Sequence, residues 1–150
     1  MNRRSLLTLA VLAGTCKLGL AAEPTKQDAI DLVTKAGAYL KANGKAKLVE
    51  ALNKTNGDFH KGELYVMAYD LTGTMVAHPV NAKLIGRNMV DVPDPDGKFF
   101  RKDIVETAKG KGTGWVDYKY KNPTNNKVEA KTTHVQAAGD LILAAGIYKN

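Results

Sequence analysis

The chain has 150 residues and a formal net charge of +7, with 44% hydrophobic and 25% charged residues. That length makes one domain the expectation and allows a sizeable core. Its lysines are scattered rather than clustered, which argues for a solvated surface and against nucleic acid as a partner.

The N-terminus reads as a secretory signal peptide. Asn2-Arg3-Arg4 is a short basic stretch, Leu6 to Gly14 is apolar, and Leu18-Gly19-Leu20-Ala21-Ala22 offers small residues for cleavage. The apolar run is much shorter than the ~20 residues that span a bilayer. The expected division is therefore a signal segment over 1–22 and one domain over 23–150, in a periplasmic or secreted protein. A retained anchor and lipidation at Cys16 are the alternatives, although Ala13-Gly14-Thr15 matches the lipidation pattern poorly. With the segment removed, Arg3, Arg4 and Lys17 go, and +4 remains. The only cysteine goes too, so packing rather than a disulfide must hold the fold.

From Asp28 to about Asn53 the apolar residues Ala29, Leu32, Val33, Ala36 and Leu40 recur at helical spacing. Thr25 and Asp28 form a capping-box pattern, and Asn43-Gly44 should kink or split the helix. Leu48, Val49 and Leu52 continue its buried stripe. A hairpin follows, with strands at Leu64 to Tyr69 and Thr74 to His78 around the turn Asp70 to Gly73. Residues 79–102 read as a long loop, which in a compact domain is usually functional. A short helix is expected from about Lys102 to Lys109. The last third reads as a three-strand meander: Trp115 to Lys121, Val128 to Gln136 and Leu141 to Tyr148. This order predicts an α+β fold, with helices packed on an antiparallel sheet.

Three groups of residues resemble the single Cache domain family, type 2. Leu64 to Gly73 with Ala77-His78-Pro79 resembles its opening hairpin. Leu84-Ile85-Gly86-Arg87-Asn88 and Asp96-Gly97-Lys98-Phe99-Phe100 resemble its pocket loop. Gly114 to Tyr118, Lys131 to Val135 and Gly146-Ile147-Tyr148 resemble its later strands. The resemblance implies a PAS-like five-stranded sheet, with a long N-terminal helix on one face and the pocket loop and short helix on the other. It also implies extracytoplasmic sensing of small molecules, often short carboxylates, in signal transduction or chemotaxis. Family members usually sit between two membrane helices of a chemoreceptor or kinase. No second apolar span follows here, so a stand-alone member is expected, acting with a membrane receptor or sensor kinase.

Strand alternation locates a candidate pocket. A turn at Asp70 to Gly73 places Tyr65 opposite His78, with Met67 and Val76 on the same face. A turn centred on Thr124-Asn125 pairs Tyr118 with Lys131, Tyr120 with Glu129 and Val116 with Thr133. A turn at Ala137 to Asp140 sets Lys131 beside Gly146 and Thr133 beside Ala144. One face then carries Tyr118, Tyr120, Lys131 and Thr133 next to small residues. The other carries Trp115, His134, Leu141, Leu143 and Ile147. The ligand-binding candidates are Lys131, Tyr118, Tyr65, His78, Tyr120 and Phe100.

Lys131 would supply the charge for a small organic anion and the tyrosines would donate hydrogen bonds. The competing readings are a lysine snorkelling at the rim, half-buried core tyrosines, and a His78 that only braces a loop. Phe99 and Phe100 should plug the loop onto the sheet, one of them capping the pocket. Arg101 is either a solvated charge or a second anion contact. Asp94, Asp96, Gly97 and Asp103 resemble part of a calcium loop, but its first position is Val92, so turns explain the segment better. Neither a metal site nor a cofactor motif is apparent, nor a nucleophile beside a base, and an enzyme is not expected. The main alternative to ligand sensing is a ligand-free interaction domain that dimerises through its N-terminal helix.

Overall fold

The computed structural model describes residues 22–149. Residues 1–21 of the expected signal segment, Cys16 among them, lie outside the described residues. No helix among the described residues is long and apolar enough to cross a membrane.

Helix α1 spans Lys26–Asn43 and α2 spans Lys45–Leu52. The capping box forms: Asp28 N donates to Thr25 Oγ1 and Thr25 N donates to the Asp28 carboxylate. Gly44 divides the two helices at φ +86°, a backbone angle that a residue with a Cβ rarely adopts. Ala29, Val33 and Ala36 of α1, with Leu48 and Leu52 of α2, face the sheet and are fully buried.

The sheet is antiparallel throughout, in the order β1 (His60–Lys61), β2 (Leu64–Asp70), β6 (Leu141–Tyr148), β5 (Val128–Ala138), β4 (Thr113–Lys121). Strand β3 (Met75–Ala77) pairs with the far end of β2. The two-residue β1 adds a sixth strand to the five expected. Residues Leu64 to Tyr69 are all buried, because both faces of β2 are covered. Val66 and Ala68 pack under α1 and α2, with Leu141, Leu143 and Ala145 of β6. Tyr65, Met67 and Tyr69 face the other way, toward α3 (Phe100–Gly110), which inserts Phe100, Ile104 and Ala108. Helix α3 starts two residues earlier than the sequence pattern suggests, because Phe100 is part of its buried stripe.

Residues 79–99 form the expected long connection, with one 3₁₀ turn at Ala82–Leu84. Asp94 organises its end. Its carboxylate accepts from the amides of Asp96, Lys98 and Lys119, the last on β4. Lys98 Nζ also donates to the Asp117 carbonyl. Asp103 pairs with Lys98. These acids thus hold the loop to the sheet.

The β4–β5 register is the one expected: Tyr118 pairs with Lys131, Tyr120 with Glu129 and Val116 with Thr133. Two other registers differ. The β5–β6 turn has only two residues, Gly139 at φ +61° and Asp140, so Ala138 pairs with Leu141. Lys131 therefore lies beside Tyr148, not Gly146, and Thr133 lies beside Gly146, not Ala144. A slip of two residues keeps each side chain on its face, so the two-face assignment stands. In the first hairpin a bulge between Ala68 and Tyr69 changes the pairing to Ala68–Ala77 and Tyr69–Met75. Tyr65 is thus not paired with His78. Val76 packs toward α1 and α2, while Met67 lies on the α3 side.

Candidate ligand-binding site

Lys131 is the centre of the α3-side face. It is 1% exposed, although its charge ordinarily favours water. Its Nζ donates to the Tyr65 hydroxyl at 3.1 Å. The same nitrogen lies 4.4 Å from the Tyr65 ring centroid, 5.0 Å from that of Tyr148 and 5.4 Å from that of Tyr120. These π faces recover part of the lost hydration. Gly146 makes room for the stem, since a Cβ there would lie 2.7 Å from Lys131 Cε. Burial pushes the ammonium down to about 7, with the distant Glu63 carboxylate opposing the shift. The Tyr148 hydroxyl donates to the Lys121 carbonyl at 2.8 Å.

A second cation joins it. Arg101, in the first turn of α3, is 6% exposed and lies over the Phe100 ring at 4.3 Å. Its charge acts on the hydroxyls of Tyr69 and Tyr120, favouring their ionised forms against the effect of burial. The ion pairs among the described residues, Lys45–Asp140, Lys54–Glu50, Lys98–Asp103 and Lys149–Asp117, all lie elsewhere.

His78 supplies a third donor. Its Nδ1 accepts from the amides of Val80 and Asn81 at 3.2 and 3.0 Å. The ring proton therefore sits on Nε2, which is buried and has no hydrogen-bond partner among the described residues. Burial, then the charges of Lys131, Arg101 and His60, push the imidazole down to about 3, so it stays neutral. His78 thus braces the loop through the Val80 and Asn81 amides, and one N–H is left over. Because Nδ1 is occupied by two amides, His78 is poorly placed to act as a general base.

The remaining candidates are present in different roles. Tyr118 pairs with Lys131 in register, yet its hydroxyl bonds Thr133 Oγ1 at 2.9 Å. Its ring stacks on Phe100, with centroids 3.9 Å apart and planes 5° from parallel. Tyr120 meets both rings edge-on. Phe100 is buried, whereas Phe99 is half exposed. Burial raises the hydroxyls of Tyr65, Tyr118 and Tyr120, which therefore remain donors. Sequence reasoning missed Tyr148 and Tyr69. A two-residue turn at Gly139-Asp140 would have brought Tyr148 beside Lys131.

Two surface clefts lie away from these residues. One, of about 510 Å³, runs between α3 and β4 past Trp115. The other, of about 1140 Å³, lies between the start of α1 and β1. Both mix acids with lysines at their walls, whereas the buried face combines two cations with unpaired or hydroxyl donors. That face favours an anion.

The profile of the single Cache domain 2 family matches residues 28–148, and the chain belongs to that family. It is 30% identical over 105 residues to the sensor histidine kinase MctS of Rhizobium johnstonii, covering 69% of this chain and 22% of the relative. The chain thus spans about a fifth of that relative's length. Among solved structures, one described as the periplasmic sensor domain of a chemotaxis protein superposes with a TM-score of 0.66 at 27% identity, covering 83% of this chain and 90% of that one. A second, described as showing carboxylic acid recognition by a Cache chemosensory domain, gives 0.65 at 26% identity, covering 83% and 88%. The fold and family are those of extracytoplasmic sensor domains used in signalling.

Proposed function

We propose that the domain is a secreted or periplasmic binding protein that captures a short carboxylate between Lys131 and Arg101 and reports occupancy to a membrane receptor or sensor kinase. The observation that carries this reading is a buried ammonium with no carboxylate paired to it among the described residues. Leaving such a charge unpaired is costly, and an arriving anion offsets the cost. Arg101 adds a second charge and His78 Nε2 an unused N–H. Tyr65 and Tyr120 pack around the lysine, and Phe100 stacks on Tyr118 on the α3 side. The likeness to a Cache domain described as recognising carboxylic acids supports the ligand class. The role is binding rather than catalysis.

Calorimetric titration with acetate, propionate, lactate and pyruvate tests the reading. At least one acid should bind, and Lys131→Met should weaken it by more than about tenfold, since a charge-assisted contact is worth ~1.5–3 kcal/mol. Absence of binding by every acid, or an unchanged affinity in Lys131→Met, would overturn it.

The stacked Phe100–Tyr118 pair supports a second reading, in which core rings fill the site and the domain only mediates protein contacts, as a homodimer through α1. Under that reading no acid binds, and Phe100→Ala only destabilises the fold, by about 3–5 kcal/mol.

A further inference from the structure

We propose that the site takes up its carboxylate together with a proton, and that Lys131 is the group that receives the proton. This rests on the carboxylate reading above and deepens it.

Among the described residues no carboxylate is paired with Lys131. Tyr65 and Tyr69 face the site from β2, Tyr118 and Tyr120 from β4, and Tyr148 from β6. All are neutral, because burial holds their hydroxyl protons in place. His78 follows β3 and is neutral as well. His60 of β1 meets Tyr65 edge-on and adds no negative charge. Arg101 enters from α3 and adds no negative charge. Glu129, beside Lys131 on β5, is drawn to the Asn122 and Asn125 amides. Glu63, before β2, is likewise held by Asn122 at 3.0 Å and makes no ion pair with Lys131. Its field reaches the lysine but does not overcome the burial.

The empty site therefore carries a lysine that gives up its proton near neutrality. A carboxylate brought within hydrogen-bond distance reverses that balance, because opposite charge favours the ammonium. The amine lone pair then takes one proton from solvent, and the bound state holds carboxylate plus ammonium. No covalent bond forms or breaks apart from that N–H. Arg101 is charged in both states and contributes no proton. Below about pH 7 the lysine is already charged and affinity is flat. Above it, affinity falls about tenfold per pH unit until the liganded lysine itself titrates.

The test is titration calorimetry of the purified chain with acetate and propionate between about pH 6 and pH 9. At about pH 8.5 it is repeated in phosphate and in Tris, whose ionisation heats differ. The expected result is uptake of close to one proton per acid at the higher pH, almost none near pH 6, and an affinity that falls with pH. Lys131→Arg, charged throughout, should bind with a flat profile. Should that variant fail to fold, ¹³Cε-lysine NMR of the unmodified protein decides: Lys131 titrates near neutrality when empty and well above it with propionate. Equal affinity across the range with no buffer-dependent heat overturns the proton linkage and leaves the carboxylate reading intact. So does an empty-site Lys131 that titrates above about pH 9. If neither acid binds at any pH, both readings fall.

Discussion

The two faces of this sheet are built from the same strands and differ in nearly everything else. Toward α1 and α2 the strands present Val66, Ala68, Leu141, Leu143 and Ala145, all fully buried hydrocarbon. Toward α3 the alternate residues of the same strands present tyrosines, a lysine and a threonine, with Arg101 added from the helix. The first face leaves little to be gained by any ligand. The second keeps donors in a dry place without enough acceptors, and the proposed affinity for an anion rests on that imbalance. Under the proposed function, stability and binding fall on opposite sides of one sheet, one residue apart.

The largest expected effect separates the faces outright. Leu143→Ala should cost about 2–5 kcal/mol, the range for an unfilled core cavity, seen as a lower urea midpoint. Lys131→Met, by contrast, should leave that midpoint unchanged or higher while removing carboxylate affinity. A comparable loss of stability in both variants would break the comparison.

Gly146 sits at the seam. An added Cβ would press on Lys131 Cε and the Thr132 carbonyl. Gly146→Ala should cost about 1–3 kcal/mol, as overpacking does, and should displace the lysine from its tyrosines. Acid affinity should drop along with stability, which a paired denaturation and titration would show.

The last effect is absent at neutral pH and appears only in acid. The folded His78 titrates at about 3, well below its ordinary value, so between roughly pH 6.5 and that point the unfolded chain holds a proton the folded one lacks. Stability from this residue is complete above that window and falls as pH drops through it, by up to about 1.4 kcal/mol per unit. His78→Asn keeps an acceptor for Val80 and Asn81 and should flatten the acid limb of a pH series of melts. An unchanged slope would show that the imidazole is wetter than its surroundings indicate.

Much of this was legible beforehand, for an identifiable reason. Strand parity survives a register error of two, so Leu141, Leu143 and Ile147 fell on the correct side although the β5–β6 turn was miscounted. Thr25, Asp28 and Gly44 are local signals that need no tertiary context. Val76 was misplaced because a bulge has no fixed sequence mark. The cage of Lys131 was harder still. Register pairs it with Tyr118 and Tyr148, but the Tyr118 hydroxyl bonds Thr133 instead and Tyr65 comes in from β2, which is not paired with β5. The Arg101 position depends on the pitch of α3, which no strand pattern encodes.

The hold of Asp94 and Lys98 on β4 has a consequence for life at high concentration. Strand β4 is the outer rail of the sheet, and a bare rail of amides and carbonyls invites another chain to zip alongside. The Lys119 amide and the Asp117 carbonyl are blocked by the very loop that runs into Phe100 and Arg101. Any motion that lifts residues 94–98 also unlatches that rail. If the proposed ligand enters past this loop, its passage and resistance to polymerisation share one fastening, and weakening it invites fibres.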